Sequence, residues 1–225
     1  MTNVLEVTKR IQNNHIMSVN EKMQFVKIIR EFEWLYQPML AKISEYSTRA
    51  KSVLDVACGD GYLLQLIHEK YPSLKLKGTD IDPYFIKEAK KHLPFEFIVE
   101  DLQNLSHEAD IITINLALHH FDNPVEIIKK VHAKANQVLI ISDHIRPETF
   151  EELEDALERR KEFIGQKENS YYKTHAKESI LEAYSKKEIQ EILKRTGLNY
   201  NLLFTKDYFD RCVVTIERKS RALQD

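Results

Sequence analysis

The chain has 225 residues, 33 Lys and Arg against 35 Asp and Glu for a formal net charge of -2, and 43% hydrophobic against 30% charged residues. This is the balance of an ordinary globular protein long enough for one α/β domain, and it lacks the strong field that would gather nucleic acid or an acidic membrane. No apolar stretch precedes a cleavage site or approaches a membrane span, and Cys58 and Cys212 have neither zinc spacing nor the density of a disulfide framework, so a cytoplasmic protein with two free thiols is expected.

Residues 1–50 read as helices that precede the first strand. Ser18-Val19-Asn20-Glu21 is a capping box, since the Ser18 hydroxyl and the Glu21 carboxylate can each satisfy the other's backbone amide. Phe25, Ile28, Ile29, Phe32 and Leu35 make an apolar stripe behind it, and Pro38 is expected to kink or divide that helix. The segment is either a packing element or a lid over a ligand cleft.

Ser52 to Tyr62 is the stretch around which the chain is organised. Val53, Leu54, Val56 and Ala57 predict a buried central strand, and Gly59 and Gly61, two of only 5 glycines, predict a sharp turn into a helix from Tyr62 to Lys70. The first amides of that helix would hold an anionic or carboxylate end of a ligand. Leu74 to Asp80 is a second strand, and Asp80 lies about 20 positions after the glycines, where a carboxylate can take a ribose diol.

Asp82 and Pro83 open the next helix and Pro94 closes it. Further strands are predicted over 95–99, 110–115 and 137–143, with a helix from Asn123 and Pro124 to about Ala133. Five strands alternating with helices argue for a doubly wound parallel sheet that binds its ligand beyond the carboxyl ends of the strands. The alternation then pauses over 146–184, in a charged helix from Glu151 to Lys161 and a loop from Gly165 to His175. Ser185-Lys186-Lys187-Glu188 caps a last helix that stops at Gly197, and 199–204 and 212–216 form a terminal antiparallel hairpin.

Leu64 stands where the dinucleotide fingerprint needs its third glycine, and the single Tyr-x-x-x-Lys pair, Tyr71 to Lys75, falls at a strand. NAD is therefore demoted. With these residues in view, residues 50–218 resemble the class I S-adenosylmethionine-dependent methyltransferases, particularly the small-molecule type. Asp55, Ala57, Cys58, Gly59 and Gly61 lie in what is similar to the family's first motif, with Ala57 where many members have glycine, a departure taken as sterically mild. The resemblance implies that Asp80, with Ile81 beside it, takes the ribose, and that Asp101 and the Leu102 amide meet the adenine. Asn115 and Leu116 would lie beside the sulfonium and the acceptor. It further implies an antiparallel last strand in a mainly parallel seven-stranded sheet, in a single domain. That domain would comprise a helical lid at 1–50, a cofactor core at 51–145, a helical insertion at 146–184, and a last helix and hairpin at 185–218.

Methyl transfer from a sulfonium is an in-line displacement, so the protein has to align the acceptor and, for some acceptors, remove a proton. His119 and His120 follow the fourth strand and are the catalytic candidates, of which one is expected to face the cleft. Asp143 and His144 at the fifth strand's end, and Tyr171 and Tyr172 in the insertion, with His175 near them, are candidates for the acceptor pocket. Asn115-Leu116-Ala117-Leu118 lacks the Asn-Pro-Pro-aromatic pattern used on planar amines, which argues against a DNA-adenine methylase. The sequence reading is methyl transfer from S-adenosyl-L-methionine to an O, N or C atom of a small molecule, without nucleic acid or membrane. An RNA methyltransferase and a non-catalytic cofactor-binding protein are the alternatives.

Overall fold

A computed structural model describes residues 17–164, 180–206 and 210–218. Seven strands form one sheet in the order β3-β2-β1-β4-β5-β7-β6: β1 (Ser52–Val56), β2 (Lys75–Asp80), β3 (Glu96–Val99), β4 (Ala109–Asn115), β5 (Ala135–His144), β6 (Asn201–Lys206) and β7 (Asp210–Glu217). Only β7 runs antiparallel to its neighbours, β5 and β6, while β1 to β5 are all parallel. The doubly wound sheet with a reversed last strand is thus present as expected.

The strand order reverses at β1, which pairs with β2 on one side and β4 on the other. At such a point the connections leave in opposite directions and open a crevice beyond the carboxyl ends. Apolar side chains from β1 feed both faces of the sheet: Leu54 and Val56 join one core cluster, Val53 the other. That explains the unbroken apolar run, since a central parallel strand is covered on both sides.

The helices form where their local signals place them. Helix α1 (Val19–Arg30) begins at the capping box, with the Ser18 amide 2.7 Å from Glu21 Oε2 and the Glu21 amide 3.3 Å from Ser18 Oγ. Helix α2 is Gln37–Tyr46, α3 Tyr62–Lys70 and α4 Pro83–His92, with Asp82 accepting from the Tyr84 amide. Helix α5 is Pro124–Lys134, α6 Phe150–Ile164 and α7 Lys186–Thr196, the last opened by both halves of the Ser185–Glu188 box and ended by left-handed Gly197.

Three expectations need correction. The N-terminal helix ends at Arg30, ahead of Pro38, and a short 3-10 turn, Glu33–Tyr36, follows. Pro38 lies in the first turn of α2, where its missing N–H costs nothing and its fixed φ suits the helix, so the helices are divided ahead of Pro38, which starts the second one and neither kinks nor breaks the first. Strand β5 begins at Ala135 directly from α5, with no intervening loop. The expected loop from Gly165 to His175 lies outside the described residues.

The N-terminal segment is tied to the sheet by a group the sequence reading missed. Arg211 of β7 is fully buried, donates to the Leu35 carbonyl and stacks on Trp34, its guanidinium carbon 5.4 Å from the ring centre. At the other end of the segment, α1 lies across the crevice. Lys22 Nζ is 2.5 Å from Asp82, Arg30 Nε is 2.6 Å from Asp60, and the Phe25 and Phe85 rings meet edge to face at 6.2 Å.

The glycines of the β1–α3 turn differ in what they make room for. A Cβ on Gly61 would lie 2.7 Å from the Phe97 ring, whereas one on Gly59 would meet nothing within 4 Å. Both have positive φ, +78° and +54°. Gly61→Ala therefore combines left-handed strain with overpacking, about 3 kcal/mol in all, and should lower Tm by about 6–12 °C. Gly59→Ala carries only the strain of about 1–2 kcal/mol, and thermal melts of the two variants should separate in that order.

Candidate active site

The turn leaving β1 is built from left-handed residues and is pinned by the end of β2. Ala57, Gly59 and Gly61 have φ of 56°, 54° and 78°. The Cys58 amide donates to the Thr79 carbonyl at 3.0 Å, and the Gly59 amide donates to Asp80 Oδ2 at 2.9 Å. Asp80 Oδ1 also accepts the Asp82 amide at 2.8 Å, so one carboxylate fixes both loops of the crevice. Alanine at position 57 is not the mild departure it looked in sequence. An L-residue at that φ carries roughly 1–2 kcal/mol that glycine would not.

A cavity of about 340 Å³ opens at this place. Its floor is Asp55, Ala57, Cys58, Gly59 and Asp60 from β1 and its turn, and Asp80, Ile81 and Asp82 from β2. Asn115 lines it from the end of β4, Leu116, Ala117, His120 and Phe121 from the loop beyond, and Met17, Phe25 and Tyr36 from the N-terminal segment. The size is that of a small-ligand site. Leu116 is a second non-glycine residue with positive φ, 55°, held by its amide on the Ser142 carbonyl at 2.7 Å. Among the described residues, the buried Oδ1 of Asn115 has no hydrogen-bond partner.

The floor is acidic, with four carboxylates on one cavity: Asp55, Asp60, Asp80 and Asp82. Arg30 and Lys22 neutralise Asp60 and Asp82, whereas among the described residues Asp55 has only the Thr113 hydroxyl, 2.7 Å away. Burial is the main reason that its pKa is pushed up from an ordinary 3.8 to about 7; Asp80 nearby raises it further and the Thr113 bond opposes the shift. Asp80 is raised for the same main reason, against the lowering effect of the amides it accepts. Burial, with the Asp55 and Asp80 charges, also pushes the Cys58 thiol well up, so it stays neutral beside the cavity.

The two histidines occupy unlike environments. His119 is buried, its Nδ1 2.7 Å from Asp143 Oδ1 and its amide 2.9 Å from Asp143 Oδ2. Asp143 also accepts the His144 amide at 2.8 Å, so this carboxylate is committed to holding the loop. His120 packs against His119, with ring centres 4.1 Å apart and planes tilted by 48°, reaches the cavity, and has Glu182 Oε2 3.9 Å from its Nδ1. Glu182 arrives there because the end of the insertion folds back: Tyr184 bridges to Ile145 and its hydroxyl donates to the Phe121 carbonyl at 3.0 Å.

A family model described as a methyltransferase domain matches residues 9–202. The chain belongs to this methyltransferase family. Malonyl-[acyl-carrier protein] O-methyltransferase of Anoxybacillus flavithermus is 30% identical over 92 residues, 39% of this chain and 36% of that protein. Trans-aconitate 2-methyltransferase of Escherichia coli is 32% identical over 80 residues, 34% and 32% of the two chains. The chain thus spans only about a third of the length of these curated relatives, 36% and 32%. Plantazolicin methyltransferase BpumL, solved with a desmethylPZN analog and SAH, shares the fold at a TM-score of 0.70 and 18% identity, over 88% of this chain and 90% of that one. Magnesium protoporphyrin IX methyltransferase of Synechocystis PCC 6803 does so at 0.56 and 14%, over 96% and 91%.

In this family member, nine of the residues singled out in sequence line the cavity: Asp55, Ala57, Cys58, Gly59, Asp80, Ile81, Asn115, Leu116 and His120. The others are placed elsewhere. Gly61 packs on Phe97, Leu102 is core, and Asp101 caps a 3-10 turn through the Gln103 amide at 2.8 Å. His119, Asp143 and His144 lie behind the wall, and Tyr171 and Tyr172 lie outside the described residues. Sequence reasoning missed Asp60, Asp82 and Tyr36 as lining groups, and Glu182 beside His120. Asp60 and Asp82 flank residues already singled out, a usable signal, whereas nothing in the insertion's sequence marks Glu182.

The Asp55 shift has a definite sign for the unliganded protein. The folded chain holds the Asp55 proton between pH 3.8 and about 7 where the unfolded chain has lost it, so stability falls as pH rises through that window, by up to about 1.4 kcal/mol per unit. Asp55→Asn keeps an acceptor for Thr113 and removes the titration. Its Tm relative to the parent should climb from pH 5 to pH 8, and parallel Tm curves would show that Asp55 ionises without cost.

Proposed function

We propose that the chain transfers the methyl group of S-adenosyl-L-methionine to a small-molecule acceptor. The observation that carries this reading is the set of four carboxylates on one cavity floor. A pyrophosphate would be repelled there, whereas a ligand bearing an ammonium and a sulfonium would be drawn in. Asp55, deprived of a cation by its burial, is the natural partner of an ammonium, and the Asn115 oxygen offers a further acceptor.

In this reading the β1–α3 turn seats the amino-acid end of the cofactor. Gly59 leaves space where a Cβ would stand, and the first amides of α3 face the carboxylate. Asp80, with Ile81 beside it, takes the ribose, and Asp101 and Leu102 would meet the adenine at the edge of the cavity. Cys58 is a small neutral neighbour of the cofactor. Helix α1 walls the site from above through Phe25 and its two ion pairs, which fits the role of a lid. The acceptor lies toward Leu116 and His120. His120 is the ring that meets it, and His119, held by Asp143, positions His120 by packing against its ring.

The cofactor brings its own activated methyl, so the protein's work is alignment, exclusion of water and handling of any acceptor proton. Acceptor handling falls to His120 with Glu182 behind it. Tyr171 and Tyr172 remain candidates for the far side of that pocket. The small-molecule class is supported by relatives named for trans-aconitate and for malonyl groups on a carrier protein.

Calorimetry with S-adenosylhomocysteine tests the cofactor. The parent chain should bind it saturably at one per chain and NADH not at all, and the reverse result would overturn the reading. Asp80→Ala should weaken S-adenosylhomocysteine at least tenfold, about 1.4 kcal/mol, by losing both the ribose contact and the pin on Gly59. An unchanged affinity would mean that the ribose lies elsewhere.

A further inference from the structure

At the edge of the cavity, where His120 lines it and His119 lies just behind the wall, three ligating side chains from two distant parts of the chain converge. His119 and His120 come from the loop after β4, and Glu182 from the end of the insertion, and each offers one ligand atom within 4.8 Å of the others. We propose that these three residues bind a divalent first-row transition metal, whose remaining positions face the cavity and take an oxygen of the methyl acceptor.

Two imidazoles and one carboxylate on one side of an ion are a donor set suited to Zn²⁺ or Fe²⁺ with positions left for a ligand. The arrangement behind His119 fits the same purpose. A ligating histidine commonly gives its other ring N–H to a carboxylate, which sets the tautomer and turns the bare nitrogen toward the metal. His119 has that partner: Asp143 is 2.7 Å from Nδ1, which leaves Nε2 as the coordinating atom, and the His119 amide on the same carboxylate locks the geometry. Glu182 is buried while His120 is exposed, so the cluster has a protected side and an open one. The open side is the cavity, which His120 lines together with Leu116, Ala117 and Phe121.

The ligands stand somewhat wider than a bound ion requires, since Zn–N and Zn–O bonds of about 2.0–2.2 Å draw ligand atoms to within about 3.5 Å of one another. The needed movement is small for His120, whose ring can swing toward Glu182. A Lewis acid here would bind a hydroxyl or carboxyl oxygen and lower the pKa of a hydroxyl, so the acceptor class would be one that coordinates through oxygen. The role toward the acceptor rests on the proposed methyl transfer, but the site itself does not.

The test uses the full chain, tag-free, stripped with EDTA and dialysed, then titrated with Co²⁺ and Zn²⁺. One equivalent of Co²⁺ should bind with a visible d–d absorption band, and Zn²⁺ should displace it. Glu182→Gln and His120→Ala, checked by thermal melt for an intact fold, should each weaken Co²⁺ at least tenfold. Failure to bind near one equivalent, or affinities unchanged in both variants, would overturn the proposal. S-adenosylhomocysteine calorimetry on the metal-free parent keeps the two readings apart. Cofactor binding without metal binding removes this site alone, and metal binding without cofactor binding removes the cofactor assignment alone.

Discussion

The hydrogen bond from the Gly59 amide to the Asp80 carboxylate is the contact on which the architecture of the crevice depends. It joins the ends of two neighbouring parallel strands, β1 and β2, at the point where the strand order reverses. Because the same carboxylate accepts the Asp82 amide, it also sets the start of α4. Of the three left-handed residues in this turn only Ala57 is not glycine, and its φ is unfavourable unless its surroundings hold it. The structure holds Ala57 in that conformation because β1 is buried on both faces and cannot shift to relieve it.

Electrostatics follows from that geometry. Parallel strands ending together bring Asp55 and Asp80 to one floor, and the turn and α4 add Asp60 and Asp82. Such a set repels itself and is tolerated only with compensation. Two of the four are paired with cations from α1, so the helix that walls the cleft also neutralises its outer carboxylates. Asp80 has backbone donors. Asp55 has a single hydroxyl, and burial drives it toward its neutral form. The cavity floor thus lacks one cation, and that imbalance is what an added positive charge would relieve.

The histidine end of the cavity is organised by burial in a similar way. Asp143 accepts three donors and does not line the cavity, yet it influences what does, because it fixes His119 and the His119 ring packs against His120. The insertion contributes Glu182 only because Tyr184 is tied back to Ile145 and Phe121. The histidine end of the cavity is thus shaped at the joint between the sheet and the insertion.

The sequence by itself determined the alternation of elements, most of their ends and most of the residues that floor the cavity. Those features rest on local signals: two capping boxes, prolines and glycines at helix ends, apolar strands with polar ends, and a glycine turn with an acidic residue at a set distance. It misplaced the break before Pro38, since an apolar stripe at helical spacing runs through Phe32 and Leu35 whether or not the backbone between them is helical. Only the tertiary structure decided which histidine faces the cavity, that Gly61 makes room for Phe97 rather than for a ligand, that α1 supplies the cations of the floor, and that Glu182 stands beside His120. The physical reason is the same in each case: these are contacts between residues tens of positions apart, set by how helices and loops pack across the sheet, and no local pattern of spacing or composition encodes them.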